Sequence, residues 1–248
     1  MTFRPYPGLT IACAIAFALL CGLGVWQLER LQWKLALIAR VNGHMTAQPV
    51  ALDRVMAMTP DEAQYRRVTL QGRFDNAHEA YVFATGKDGD PVYHVLTPFR
   101  TDDGRWLMVD RGIVPKDRLD PATRAAGQIA GETSVTGVWR QPDGPGLFTP
   151  APDLKNRIWY ARDLKSIAAA DHLTLAAPEL VEAGPAPNPG GLPLGGQTVV
   201  TFRNQHLSYA VTWFGLAAGL LGVWLAYHLS RGRISLKQGG GPRPPAAL

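Results

Sequence analysis

Charge is missing from two long stretches of this 248-residue chain: residues 5–28 and 204–230 contain no Asp, Glu, Lys or Arg. Each is long enough to cross a bilayer as a helix, which takes about 20 apolar residues. Cysteine is scarce as well. Cys13 and Cys21 both sit in the first uncharged run, so no disulfide framework supports the rest of the chain. Eight residues apart on one helix they are too distant to bridge, and they read as small apolar helix residues. Also missing are a glycine-rich phosphate loop, a Gly-x-Ser-x-Gly elbow, His-Glu-x-x-His and Cys-x-x-Cys. These absences exclude a water-soluble globular protein, a multi-helix transporter and a disulfide scaffold. They leave no recognisable catalytic constellation, so a non-enzyme is expected.

What remains predicts an α+β membrane protein: two transmembrane helices flanking an antiparallel β-rich extramembrane domain with one or two short helices. The expected segments are an N-terminal tail 1–8, a first span 9–28, a domain 29–206, a second span 207–229 and a disordered tail 230–248. The first helix should run on as an amphipathic extension through Arg30, Lys34 and Ala39. Ala14, Ala18 and Gly22 on the first span, and Gly215 and Gly219 on the second, form small-residue stripes of the kind that let membrane helices approach. Trp26, Trp33, Tyr209 and Trp213 read as an aromatic belt at one boundary.

The net charge of +5 lies wholly outside the domain, which carries 20 basic and 20 acidic residues. The excess is Arg4, Arg231, Arg233, Lys237 and Arg243, and no acid follows Glu182. The domain is neutral, so nucleic acid is not an expected partner and membrane lipid is. Basic tails place both ends in the cytoplasm and the domain outside, although Arg30, Lys34 and Arg40 after the first span pull the other way. The first run lacks a small-x-small cleavage site and reads as an uncleaved anchor. The eight residues before it are too few for a mitochondrial transit peptide, which points to a bacterial inner membrane.

Within the domain, Arg67–Phe74, His78–Ala84, Pro91–Phe99, Trp106–Val114 and Thr133–Arg140 are β-branched or aromatic runs parted by turn clusters. Such spacing suggests an antiparallel barrel or sandwich. Gly72 interrupts the first run, where glycine marks a bulge or a close backbone approach. One helix is expected over Asp163–Ala170, then a Gly/Pro loop over 184–196, then a last strand over Gln197–Phe202.

Chemistry-bearing residues give weak signals one by one. Asp102 and Asp103 fall in a turn. Asp110 and Arg111 read as an adjacent structural ion pair. His44, His78, His94 and His172 show no ligand spacing, and Met56 and Met58 are a thin basis for copper. His228 reads as a boundary residue. His206 differs, because it heads the second span, where a polar side chain is costly without a partner. Two readings stand there: an interfacial anchor together with Tyr209, or an axial ligand to a haem lying in the apolar layer.

Five segments together are recognisable: Trp26–Lys34, Tyr65–Phe74, Val109–Pro115, Asn156–Asp163, and Gly195–Thr198 leading into Asn204–Trp213. In these the chain resembles the SURF1 family of cytochrome c oxidase assembly proteins, with Ile113 where the family usually places Trp. The resemblance implies a two-span inner-membrane protein with an outer domain that helps to mature oxidase subunit I. It implies transient haem a binding through the histidine matching His206; in physical terms such a carrier would take the haem from haem a synthase and shield the ring with Tyr209 and Trp213. A cofactor-free scaffold or chaperone for oxidase subunits is the alternative, and a membrane-anchored enzyme with an unrecognised site is a third.

Overall fold

Proline sets the two ends of the first helix. Pro7 occupies its first position, where a missing N–H costs nothing, and Pro49 disfavours further helix beyond Thr46. The computed structural model describes residues 2–198, 200 and 202–235. In chain order the first elements are β1 (Thr2–Phe3), α1 (Pro7–Thr46), β2 (Val50–Ala51), α2 (Leu52–Met56), α3 (Pro60–Ala63), β3 (Arg67–Phe74) and β4 (Ala80–Thr85). Then follow β5 (Pro91–Thr101), β6 (Trp106–Pro115), β7 (Thr133–Arg140), β8 (Ile158–Trp159), α4 (Leu164–Ala170), β9 (Leu175–Ala183), α5 (His206–Ser230) and β10 (Ile234–Ser235). Two compact units result, one from Met1–Ile38 with Phe202–Leu248, the other from Ala39–Thr201.

The first unit is an antiparallel helix pair, and both α1 and α5 are long and apolar enough to cross a membrane. Their inward rows recur every three or four residues. On α1 the row runs Thr10, Cys13, Phe17, Leu20, Gly24, Gln27, Leu31 and Lys34; on α5 it runs His206, Ala210, Trp213, Ala217, Leu220, Trp224 and His228. That spacing is the signature of shallow-angle helix packing. Outward stand Ile11, Ile15, Leu19 and Leu23 on α1, and Val211, Leu216, Val223 and Leu225 on α5, an apolar surface suited to lipid.

The expected small-residue stripes do not make this contact. Ala14, Ala18 and Gly22 are exposed, as are Gly215 and Gly219, and a Cβ added at any of the three glycines would meet nothing from the facing helix within 4 Å. Gly24 is the glycine that matters: a Cβ there would meet the Phe214 ring at 2.7 Å. The close approach is set by an aromatic ring lying on one glycine, so the stripe spacing found the wrong face.

Helix α5 ends in a Schellman motif. Gly232 takes φ 61°, the Arg233 N–H donates to His228 O at 2.9 Å, and the Gly232 N–H donates to Leu229 O at 3.0 Å. The chain then reverses so that β10 pairs antiparallel with β1, Phe3 opposite Ile234.

In the second unit the strands lie in the order β2-β3-β7-β9-β6-β5-β4-β8, and β3 also pairs with β5. That extra pairing closes a ring of β3, β7, β9, β6 and β5. Closure occurs at Gly72, which faces Thr101 on β5 and Thr133 on β7. Its φ of 154° and the Arg100 carbonyl pressed against the position of a Cβ leave room for glycine alone. The close approach expected of Gly72 is therefore present. One face of all five ring strands supplies Val68, Leu70, Phe99, Leu107, Val109, Val135, Trp139 and Val181 to a single core, joined by Leu52 and Val55 of α2. Outside the ring, Leu164 and Ile167 of α4 cover Val82, Leu96, Met108, Trp159 and Leu180.

Three expectations change. The sheet is mixed rather than antiparallel throughout, because β6 runs parallel to β9, β2 to β3 and β4 to β8. Strand β9, sitting between β7 and β6, was not anticipated. The strand expected over Gln197–Phe202 is absent among its described residues, Gln197, Thr198, Val200 and Phe202. Upstream of it, Leu194 makes an isolated antiparallel bridge to Ile113. The tail from Gly239 lies outside the described residues.

Candidate functional site

His206 opens α5 and faces α1. Its Nδ1 lies 2.8 Å from Oε1 of Gln27, one of the few buried polar side chains of the pair. With the amide oxygen of Gln27 toward the ring, as assigned, the contact takes a proton on Nδ1 and leaves the lone pair on Nε2. Nε2 has no partner among the described residues. Trp213 follows two turns later in the same inward row and is half-buried, whereas Tyr209 is more than half exposed on the flank. Trp213 thus turns into the pair instead of outward with the expected aromatic belt, while Trp26, Trp33 and Tyr209 remain exposed. The donor set is one imidazole nitrogen flanked by aromatic and aliphatic surface, which fits a single axial bond to haem iron.

At the other end of α5, His228 is closed. It is fully buried; its Nδ1 donates to Trp224 O at 2.8 Å and its Nε2 accepts the Tyr6 N–H at 3.2 Å. The rings of Tyr6, Trp224 and Tyr227 surround it at centroid distances of 4.4–5.8 Å. Both nitrogens are committed, so His228 braces the helix ends and offers no ligand position.

The domain holds two buried ionic clusters that residue-by-residue reading missed. Asp110 and Arg111, expected to pair with each other, point to opposite faces of β6, as neighbours in a strand must. Asp110 meets His94 Nδ1 at 2.8 Å and Arg162 at 3.2 Å, and its carboxylate also accepts the Gly112 N–H. Arg162 lies 3.7 Å from Glu182, which accepts from Thr198 Oγ1 at 2.6 Å. A cavity of about 10 Å³, the size of one water, is lined by His94, Asp110, Gly112, Glu182 and Thr198. Burial alone would raise Asp110, but the bond and charge of His94, the charge of Arg162 and the Gly112 N–H outweigh it and hold the carboxyl below its usual range.

On the other face, Arg111 and Arg124 share one carboxylate. Glu79 accepts from Arg124 at 2.5 Å and from Arg111 at 3.4 Å, and all three side chains are at most 2% exposed. Arg111 also donates to the Gly127 carbonyl and to Asn76, and its guanidinium lies 4.5 Å from the Phe74 ring centroid. Burial pushes the Arg111 guanidinium down to about 10; Glu79 opposes this and Arg124 adds to it. Burial pushes the Tyr81 hydroxyl up to about 12, with the neighbouring Glu79 charge adding to it. The Tyr81 hydroxyl donates to Glu79 at 3.1 Å, and the arrangement ties the start of β4 to the turns after β6.

The other candidates have structural surroundings. His44 contacts the Gln64 carbonyl and His78 contacts Asp75, while Met56 and Met58 pack against the ring core. Asp103 is engaged by Thr101 and Arg105, and those bonds hold its carboxyl well below the usual range. Among the described residues no three His, Cys, Asp or Glu side chains converge as a metal site.

The family model described as the SURF1 family matches residues 14–218. The chain belongs to the SURF1 family. It is 35% identical over 226 residues to Surfeit locus protein 1 of Takifugu rubripes, covering 85% of this chain and 92% of that protein. Against Surfeit locus protein 1 of Homo sapiens it is 36% identical over 219 residues, 82% of this chain and 72% of the relative. A SURF1-like protein of Drosophila melanogaster is 35% identical over 221 residues, 82% and 72%. Three of the five segments that carried the family resemblance meet in space. Asp110 and Gly112, Arg162, and Thr198 come from three of them and assemble one cluster with His94 and Glu182. Gly112 has φ 117° and lies against the Leu194 carbonyl, so this SURF1 strand needs glycine where the 194–195 segment crosses it, while a Cβ at Gly195 would meet the Gly184 carbonyl.

Proposed function

We propose that this SURF1-family chain is a membrane assembly factor for cytochrome c oxidase that carries haem a as cargo to subunit I. The observation that supports this best is His206: its Nδ1 is engaged, its Nε2 is open, and aromatic and apolar side chains flank it at the end of a membrane-length helix. In this reading haem a synthase hands over the group and His206 Nε2 ligates the iron. Trp213 and Tyr209 shield the ring, and rupture of one ligand bond releases it to the apo-subunit. The protein makes and breaks no bond of the porphyrin, so it is not an enzyme. Both helices cross a bacterial inner membrane, the tails lie in the cytoplasm and the domain lies in the periplasm. The basic tails and neutral domain support that orientation.

The second reading is a cofactor-free scaffold for oxidase subunits. It is favoured by the buried ionic clusters, which tie strands and turns of the domain together. Deletion of the gene, followed by complementation, separates the two. In the carrier case the deletion lowers haem a per subunit I, the wild type restores it, and His206→Ala does not. In the scaffold case His206→Ala restores it fully. Alkaline phosphatase fused after Gly146 is expected to be active and after Lys237 inactive; the reverse pattern overturns the orientation.

A further inference from the structure

Gln27 is the unexplained polar group of the helix pair. It stands in the inward row of α1 between Gly24 and Leu31, only 9% exposed. A buried carboxamide in an apolar span is costly unless it is hydrogen-bonded, and the bond it makes is to His206 Nδ1 at 2.8 Å. We propose that Gln27 is a positioning residue: it holds His206 as the Nδ1–H tautomer with a fixed ring orientation, so that Nε2 keeps its lone pair for a ligand.

The reasoning is one of hydrogen-bond inventory. Neutral imidazole has one donor and one acceptor nitrogen, and the partner of one nitrogen decides the role of the other. An amide oxygen opposite Nδ1 leaves Nε2 as an acceptor. The opposite amide orientation, with –NH2 toward Nδ1, would put the proton on Nε2 and block ligation. His228 provides the internal contrast, since its Nε2 is already used by the Tyr6 N–H. Helix α5 thus carries one histidine held open and one held shut, and the difference is the partner across the pair. A donor bond from Nδ1–H to oxygen also raises the basicity of Nε2, the usual arrangement behind a metal-bound histidine.

The geometric part of this inference stands without haem, whereas its consequence rests on the haem-carrier reading. The experiment therefore has two arms, both on the full chain in lipid nanodiscs. In the haem-free protein, ¹⁵N NMR of labelled histidine reads the tautomer of His206. The expected result is Nδ1–H in wild type, a mixed population in Gln27→Leu, and retention of Nδ1–H in Gln27→Glu. In protein loaded with haem a, the ferrous iron–histidine stretch is read by resonance Raman over a pH series, since burial raises a carboxyl at position 27 and the upward shift belongs to its ionised form. Gln27→Glu should shift it up and Gln27→Leu down, and Gln27→Leu should bind haem a about tenfold more weakly or worse. Loss of packing alone would not give opposite shifts in two variants that both alter the same contact. An Nε2–H tautomer in wild type, or a tautomer unchanged by Gln27→Leu, overturns the inference; so does a stretch that moves in neither variant. Tautomer control by Gln27 without haem binding in wild type would support the positioning role and defeat the carrier reading.

Discussion

Asp110 and Arg111 are consecutive in β6, yet they anchor separate buried clusters on opposite faces of the sheet, with His94 and Arg162 on one side and Glu79 on the other. The strand thereby becomes the axis through which the ionic framework of the domain passes. For Asp110 this has a pH consequence. Its folded-state carboxyl lies below the unfolded value of about 3.9. The ionised form therefore stabilises the fold at every pH above that value, and the contribution is lost as pH falls through the folded value. Wild-type protein is expected to lose protease resistance of the domain as pH falls below the unfolded carboxyl value of about 3.9. Asp110→Asn should start lower at neutral pH and show a flatter decline. Equal slopes in the two proteins would remove Asp110 from the account.

Glu79 is the sole carboxylate bonded to both Arg111 and Arg124 among the described residues. Glu79→Gln leaves two buried guanidinium groups facing each other without a counter-charge. Removing one partner of such a buried cluster costs about 3–5 kcal/mol. Steady-state protein should fall sharply, with faster proteolysis. Denaturant titration of purified protein that shows less than about 1 kcal/mol of loss would mean that the cluster is more hydrated than its burial indicates.

Gly72 closes the β-ring, and a Cβ there meets the Arg100 carbonyl. Gly72→Ala is expected to cost about 2 kcal/mol or more, from strain at φ 154° and the backbone collision. Gly89, in an open turn with φ 88° and no neighbour within 4 Å, should tolerate Ala with a smaller loss. Thermal melts of the two variants rank them directly, and equal melting points would contradict the closure role.

The helix pair offers a contrast between two glycines two residues apart. Gly24→Leu must displace Phe214, whereas Gly22→Leu enters open space. Engineered cysteines at positions 10 and 224, where Trp224 Nε1 donates to Thr10 Oγ1 at 3.2 Å, report the packing by cross-linking. The native Cys13 and Cys21 are replaced by Ala in that background. Cross-linking should persist in Gly22→Leu and fall several-fold in Gly24→Leu. Similar loss in both would restore the small-residue stripe as the contact face.

The chain order of strands such as Arg67–Phe74 and Thr133–Arg140 could be read because alternation and flanking turns mark half-buried strands. Strand β9 was illegible for the opposite reason. Its sequence Leu175–Ala183 contains Pro178 and two glutamates, and it gains its place from parallel pairing with β6 and antiparallel pairing with β7. Gln197 and Thr198 failed as a strand because their polar groups turn to Gly195 and Glu182. His206 stood out as a polar group at a span boundary, and Tyr209 and Trp213 beside it. Gln27 did not, since its partner lies 179 residues away and only the folded pair unites them. The two ionic clusters share that property: each joins strands and turns distant in sequence, which no local pattern records.

The central claim is that His206 offers an open nitrogen to haem iron, and an absorption spectrum tests it most directly. Full-length protein purified in mild detergent from cells that make haem a is expected to show a Soret band. The same preparation of His206→Ala, compared per mole of protein recovered because Gln27 then loses its hydrogen-bond partner, should lack the band. A colourless wild-type protein, or an undiminished Soret band in His206→Ala, would contradict the account.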